Sequence, residues 1–188
     1  MKVIPLRGNP ALYTGNAYLL LGEWNCLDDV NTLVDTGTDG DWLLRELPKI
    51  NTGVGKRAVD QVILTHNHFD HAAGLPAIIA AFAPRVYALA PGPGVTQQLR
   101  HGDRLRCGDA ECEIIATPGH SDDSLSLYCP AARALFSGDI TLPAAPEPGY
   151  PPAFIAALRQ LATLPLEVIY PGHGQPLTDN LPARFRLP

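Results

Sequence analysis

Between Thr65 and Gly74 the chain reads Thr-His-Asn-His-Phe-Asp-His-Ala-Ala-Gly, so four of the six positions from His66 to His71 carry an imidazole or a carboxylate. Neutral imidazoles with a carboxylate at this density form the ligand set of zinc or iron, whereas calcium and magnesium take oxygen ligands. The spacing has a geometric meaning. In an extended segment, side chains at i and i+2 point the same way, so His66 and His68 can grip one ion. Asp70 and His71 follow where the chain turns toward a helix, and they can aim at a second point nearby. The bland alternative is a solvated polar loop, but four such residues rarely crowd together without chemistry to perform.

Three more residues extend the cluster. His120 ends Pro118-Gly119-His120 and His173 ends Pro171-Gly172-His173, each after a β-rich segment and a Pro-Gly pair that can turn a side chain into a cleft. Asp139, in Phe-Ser-Gly-Asp, closes a strand in the same fashion. Alone, either histidine reads equally well as a satisfied loop residue, and Asp139 reads as a turn former after glycine. Beside the opening cluster, the ligand reading prevails. His101, in Arg-His-Gly-Asp, lacks such a setting and reads as a surface histidine.

The elements that must position these residues are short strands. Lys2 to Leu6, Asn16 to Gly22 and Val30 to Val34 read as strands, and their succession predicts an antiparallel meander ending in Asp35-Thr36-Gly37. A helix follows over Asp39 to Lys49, with Trp42, Leu43, Leu44 and Leu47 as its apolar stripe. Gln61 to Thr65 delivers the histidine cluster at its C-terminal end, Ala72 to Phe82 reads as one buried helix, and Arg85 to Leu89 is the next strand. That alternation predicts a βαβ unit. Further strands are expected at Cys112 to Ala116, Leu125 to Cys129, Ala134 to Ser137 and Glu167 to Tyr170, with an amphipathic helix over Ala153 to Leu164.

At 188 residues the chain suits one domain with a single well-buried core, residues 1–188. A net charge of -5 gives no field that would collect nucleic acid or anionic lipid, so a small-molecule substrate is expected rather than either of those partners; oligomeric state stays open. The N-terminus shows no signal peptide, and the longest apolar run, Ala17 to Leu21, is far short of the roughly 18 residues of a membrane span. Cys26, Cys107, Cys112 and Cys129 form no Cys-x-x-Cys pair, so buried free thiols and a cytoplasmic location are the expectation.

The ordered set His66-x-His68-x-Asp70-His71, His120, Asp139 and His173, together with the Asp35-Thr36-Gly37 turn, resembles the metallo-β-lactamase fold superfamily over residues 16 to 173. The resemblance implies an α/β fold, an αββα sandwich of two mixed β-sheets flanked by helices, with metals at one edge. It implies His66, His68 and His120 on one ion, Asp70, His71 and His173 on a second, and Asp139 between both. Asp35 would stand behind the ligands and order their loop. Two divalent ions, zinc with iron or manganese as alternatives, would share a hydroxide nucleophile that Asp70 orients as the nearest thing to a general base. Hydrolysis of a small thioester, ester or lactone is the implied activity.

Departures within the superfamily narrow this. His rather than Glu at position 68 disfavours the flavodiiron type, and Asp139 stands where true β-lactamases carry cysteine or no ligand. The Thr-His-x-His-x-Asp-His-x-x-Gly form is closest to glyoxalase II (hydroxyacylglutathione hydrolase). Only 15 residues follow His173 (188 − 173), too few for the helical domain that helps that enzyme bind glutathione. Ser-Asp-Asp-Ser after His120 also lacks the second Gly-His often found there. The rival readings are a mononuclear iron persulfide dioxygenase, using His66, His120 and Asp139, and a phosphodiesterase of the same superfamily. The stretch from 141 to 152, with five prolines and Tyr150, reads as a wall of the substrate pocket or as a structural connection to the last helix.

Overall fold

The computed structural model describes residues 1–140 and 151–185. Three antiparallel strands open the chain, β1 (Lys2–Leu6), β2 (Ala17–Leu21) and β3 (Thr32–Val34), paired in sequence order as their spacing predicts. Beyond β3 the sheet changes direction. β4 (Gln61–Ile63), β5 (Arg85–Ala88) and β6 (Gln97–Gln98) add in parallel, which completes a six-stranded mixed sheet. The second sheet is built from β7 (Arg104–Cys107), β8 (Ala110–Ala116), β9 (Leu125–Cys129), β10 (Ala134–Gly138) and β11 (Val168–Pro171), in the order β11-β10-β9-β8-β7. Its β10–β11 pair is parallel and the others antiparallel.

Both faces of both sheets are covered, and the strand sequences show why. In β2, Leu19 and Leu21 face one way and pack with Leu43, Leu75 and Ile78 of the outer helices, while Tyr18 and Leu20 face Ile114, Leu127 and Phe136 across the sandwich. Burial on both sides accounts for the unbroken apolar run Ala17 to Leu21, since each fully buried large side chain contributes about 1.5–3 kcal/mol. Helices α1 (Gly40–Glu46) and α3 (Leu75–Phe82) cover the six-stranded sheet. Helix α4 (Pro152–Thr163) lays Phe154, Leu158 and Leu161 on Ile115, Leu135 and Ile169 of the five-stranded one. The layers are therefore α, β, β and α, the expected sandwich. Among the described residues no helix is long and apolar enough to cross a membrane.

The topology decides where the polar loops meet. β3 and β4 are parallel neighbours, and β8, antiparallel to β9 that is itself antiparallel to β10, runs the same way as β10 and β11. The C-terminal ends of each set therefore lie at one edge of their sheet. The amide of Leu125 donates to the Thr65 carbonyl at 2.8 Å and ties the two edges together.

Four expectations need correction. The helix expected over Ala72 to Phe82 is two: a short α2 (Phe69–Ala72) and then α3. Gly74 breaks them because its amide donates to the Gly37 carbonyl at 2.9 Å, and a Cβ there would collide with the Gly40 amide and the Thr36 carbonyl. Strands β6 and β7 were not expected; β6 is two exposed glutamines, and β7 is an edge strand alternating arginine with Leu105 and Cys107, so neither shows an apolar run. Cys112 and Cys129 are not free thiols but a disulfide, with Cα atoms 4.3 Å apart on directly opposed positions of β8 and β9. Strand pairing, which spacing alone does not reveal, brings them together, and the thiol argument for a reducing compartment falls with it. Of the two free cysteines, Cys107 is buried as expected and Cys26 is exposed.

Candidate metal centre

At the shared sheet edge, β4 ends at Ile63 and the extended Leu64–Thr65 segment delivers His66, His68 and then α2 with Asp70 and His71. β8 leads to His120, β10 to Asp139 and β11 to His173. All seven side chains named from the sequence come together. His66, His68 and His120 form one group and Asp70, His71, Asp139 and His173 a second, the candidate ligand atoms of each lying within 4.8 Å of one another. His68 Nδ1 and His120 Nε2 stand 2.9 Å apart. Asp139 faces both groups, with Oδ1 3.3 Å from His71 Nε2 and Oδ2 3.4 Å from His173 Nε2 and 3.6 Å from His120 Nε2. Asp70 Oδ2 lies 3.0 Å from His173 Nε2. His101 is exposed and apart from them, its Nδ1 accepting from the Ala116 amide.

The donor set fits divalent ions. His66 Nε2, His71 Nε2, His173 Nε2 and Asp139 Oδ1 are buried and have no hydrogen-bond partner, although buried polar atoms almost always have one. The chain has thus drawn these atoms out of water and left their lone pairs converging. Gly172 makes the closeness achievable, since a Cβ there would overlap Asp139 Oδ1 and lie 2.7 Å from the His71 ring.

Electrostatics divides the two groups. Burial pulls the His66 imidazole down to about 4, with the charge of His71 adding to it, so His66 is neutral and ready to coordinate. Burial also opposes charge on His71, but the Asp35 and Asp139 carboxylates outweigh it and push His71 up to about 10. Burial alone would raise Asp139, yet the close approach and charge of His71 and the charge of His173 hold it below the usual carboxylate range.

Asp35 lies against the segment that carries the candidate ligands, through Thr65 and His71. Its Oδ1 accepts from the Thr65 amide at 2.7 Å, and its Oδ2 accepts from the Thr65 hydroxyl at 2.7 Å and lies 2.8 Å from His71 Nδ1. Once His71 gives up its second proton and keeps the other on Nδ1 against Asp35, its Nε2 lone pair points into the centre. Asp35 sits at φ 56°, a left-handed conformation that aspartate and asparagine tolerate better than most residues.

Other supports were not legible in the sequence. Asp123 Oδ2 accepts from the Asn67 amide at 2.9 Å and its Oδ1 from the Ser121 hydroxyl at 2.6 Å, which joins the loop of His120 to the peptide between His66 and His68. The Asn16 amide donates to the Gly172 carbonyl at 2.6 Å, and Tyr18 Oη donates to the Pro171 carbonyl at 2.6 Å, which fixes the His173 loop. The Tyr13 ring stacks on His173 with centroids 5.3 Å apart. Asp123 follows His120 by three positions, but nothing in the sequence pairs it with Asn67, and Tyr13, Asn16 and Tyr18 stand far along the chain from His173, so only the fold reveals these supports. Residues 141–150, including Tyr150, lie outside the described residues, and so does most of the expected pocket wall. A separate cleft of about 570 Å³, lined by Asp28, Lys56, Arg57, Asp60 and Arg85 among others, opens at the opposite strand ends and holds no histidine.

Comparison with known proteins agrees with this geometry. Residues 11–93 and 91–173 match the metallo-beta-lactamase superfamily. A hydroxyacylglutathione hydrolase of Fuscovulum blasticum is 36% identical over 141 residues, 71% of this chain and 54% of that protein. A thioesterase of Emericella nidulans, pkgB, is 36% identical over 132 residues, 66% of this chain and 37% of that protein. The chain spans about half the length, or less, of the curated relatives it matches. Among solved structures, TTHA1623 in a di-iron-bound form superposes with a TM-score of 0.70 at 26% identity, covering 97% of this chain and 98% of that one.

Proposed function

The chain belongs to the metallo-β-lactamase superfamily, and from that premise we propose that it is a dinuclear metallohydrolase that cleaves a small thioester, ester or lactone. The observation that carries this reading is the convergence of seven ligand-type side chains in two groups, with four of their atoms buried and unpartnered and Asp139 facing both groups. The relatives named as a hydroxyacylglutathione hydrolase and a thioesterase support the bond class, and the di-iron-bound neighbour supports two ions.

Two divalent ions held there, zinc or alternatively iron or manganese, would bring water into its acidic range near neutrality and carry the negative charge that builds on an attacked carbonyl. His66, His68 and His120 would hold one, Asp70, His71 and His173 the other, and Asp139 would keep them a fixed distance apart. Asp70 has a second task. Its Oδ2 faces His173 and His71, so its carboxylate borders the space where an attacking water must sit, and it takes that water's proton. Asp35 keeps the His71 proton on Nδ1 throughout. The substrate is a small molecule.

The test is turnover by zinc-loaded protein on p-nitrophenyl acetate, acetyl-N-acetylcysteamine and a γ-lactone, with and without chelation. Chelator-sensitive hydrolysis of at least one, reduced about 10²–10⁴-fold by Asp70→Asn, is expected. Turnover that survives both chelation and Asp70→Asn would refute the mechanism.

A further inference from the structure

Away from the metal centre, three large apolar side chains stand almost wholly in water: Trp24 is 84% exposed, Leu27 80% and Val54 94%. Scattered exposed apolar residues are ordinary, but these three ride on two loops that are bound to each other. Asn25 Nδ2 donates to the Asn51 carbonyl at 3.2 Å, and Lys56 Nζ donates to the Cys26 and Asp29 carbonyls at 2.6 Å each. The buried Asp29 carboxylate accepts from the Cys26 amide at 2.7 Å, and Asp109 accepts from the Glu23 amide at 2.9 Å. The backbone thus presents the three side chains from a tethered base, and covering them removes apolar surface from water.

The same two loops wall the cleft of about 570 Å³, through Leu27, Asp28, Gly55 and Lys56. Its charges balance, with Lys56, Arg57 and Arg85 against Asp28, Asp29 and Asp60. Lys56 is spent on the loops and Arg57 lies 3.5 Å from Asp60, but Arg85, exposed at the start of β5, makes no ion pair among the described residues. An unpaired guanidinium beside an open cleft is a seat for an aromatic ring, and tryptophan and arginine are the side chains that dominate contact energies between proteins. A strongly acidic partner would meet Asp28 and Asp60 there, and a strongly basic one would meet Arg57 and Arg85. A surface with the same balance of charge meets no net repulsion. This face carries that balance, a projecting tryptophan and an open cleft together, so it is complementary to itself.

We propose that this face joins two copies of the chain about a two-fold axis, with Trp24 of each copy seated in the cleft of the other against Arg85, and Leu27 and Val54 closing over the contact. The cleft opens where β4 and β5 begin, at Gln61 and Arg85, whereas the candidate ligands lie beyond the C-terminal ends of their strands. Both metal centres therefore face away from the contact and stay open to substrate.

The test is sedimentation velocity of the zinc-loaded protein between about 1 and 100 μM, since contacts of ordinary size hold at micromolar concentration or below. Wild type should sediment as a dimer at the upper end. Trp24→Ser and Arg85→Ala should each weaken association about 30-fold or more, because the two-fold axis makes each loss count twice. An equal mixture of the two variants should associate more tightly than either alone, since one copy then supplies an intact tryptophan and the other an intact cleft. Circular dichroism of each variant should match wild type, and should Trp24→Ser unfold, Leu27→Ser takes its place. A monomer at every concentration would overturn the proposal and give this face to a different occupant. A dimer that neither variant weakens, or a mixture that gains nothing over the separate variants, would overturn it too. Association is read without substrate, so failure of the hydrolase reading leaves the dimer untouched.

Discussion

Replacing Asp35 by asparagine keeps the side chain's shape and its tolerance of the left-handed backbone at φ 56°, and changes only what its two terminal atoms can accept. In the native site both oxygens accept: Oδ1 from the Thr65 amide, Oδ2 from the Thr65 hydroxyl and from His71 Nδ1. An amide offers one acceptor and one donor. With its oxygen kept on the Thr65 amide, its NH2 meets the His71 Nδ1–H, and two donors face each other. One resolution leaves a buried N–H unpaired, at about 1–3 kcal/mol. The other moves the His71 proton to Nε2, the atom that faces Asp139 and Asp70 and is needed for coordination. Either way the cost falls on the second ion. Outer-shell replacements of this kind weaken binding about 10–100-fold, roughly 1.4–2.8 kcal/mol, which agrees with the cost of the unpaired donor. Competition titration with a chromophoric chelator at neutral pH should show one ion bound as in wild type and one weakened on that scale. Two ions bound with wild-type affinities would refute the assignment of the His71 proton to Nδ1 and of Asp35 as its keeper.

The first ion has its own support, so Asp123→Ala should weaken that ion about 10–100-fold and spare the second, with Asp123→Asn recovering part of the loss because its oxygen can still accept from the Asn67 amide; the same titration reads it, and unchanged affinities for both ions would remove Asp123 from the account. The pH dependence follows from His71, whose pKa of about 10 means that it is protonated at neutral pH and must lose that proton to coordinate. Affinity of the second ion should therefore rise about tenfold per pH unit toward pH 10, with about one proton released from His71 per ion taken up at neutral pH, whereas His66, at about 4, adds no such slope to the first ion. Ion uptake in weakly buffered solution measures the release, and uptake of the second ion without it would contradict the prediction. Reduction of Cys112–Cys129, which closes a loop with a sequence separation of 17, should cost about 3 kcal/mol on chain-entropy grounds; unfolding in urea with and without dithiothreitol checks it, and coincident curves would show that the bond adds nothing.

The candidate ligand residues were legible because local chemistry marks them. Three histidines and an aspartate packed into six positions announce themselves, and His120, Asp139 and His173 each follow the end of a strand whose apolar residues reveal it. β2 was equally clear, since burial on both faces leaves an unbroken apolar stretch. What escaped depends on pairing across long separations. Asp123 looks like any solvated turn residue until Asn67 is brought to it, and Tyr13 gains meaning only when His173, 160 positions on (173 − 13), comes under its ring. The same holds for Cys112 and Cys129, which meet only because β8 and β9 pair in one particular register. The break between α2 and α3 was missed because the interaction that makes it, Gly74 to the Gly37 carbonyl, is tertiary.

Metal content after zinc loading and dialysis, read beside turnover for wild type and Asp139→Ala, tests the central claim most directly. Asp139 faces both ligand groups, with one oxygen toward His71 and the other toward His173 and His120. The account predicts two equivalents per chain with hydrolytic activity in wild type, and at most one equivalent with activity lost in Asp139→Ala. A single iron per chain with oxygen consumed on a persulfide, or full hydrolysis by Asp139→Ala, would contradict it.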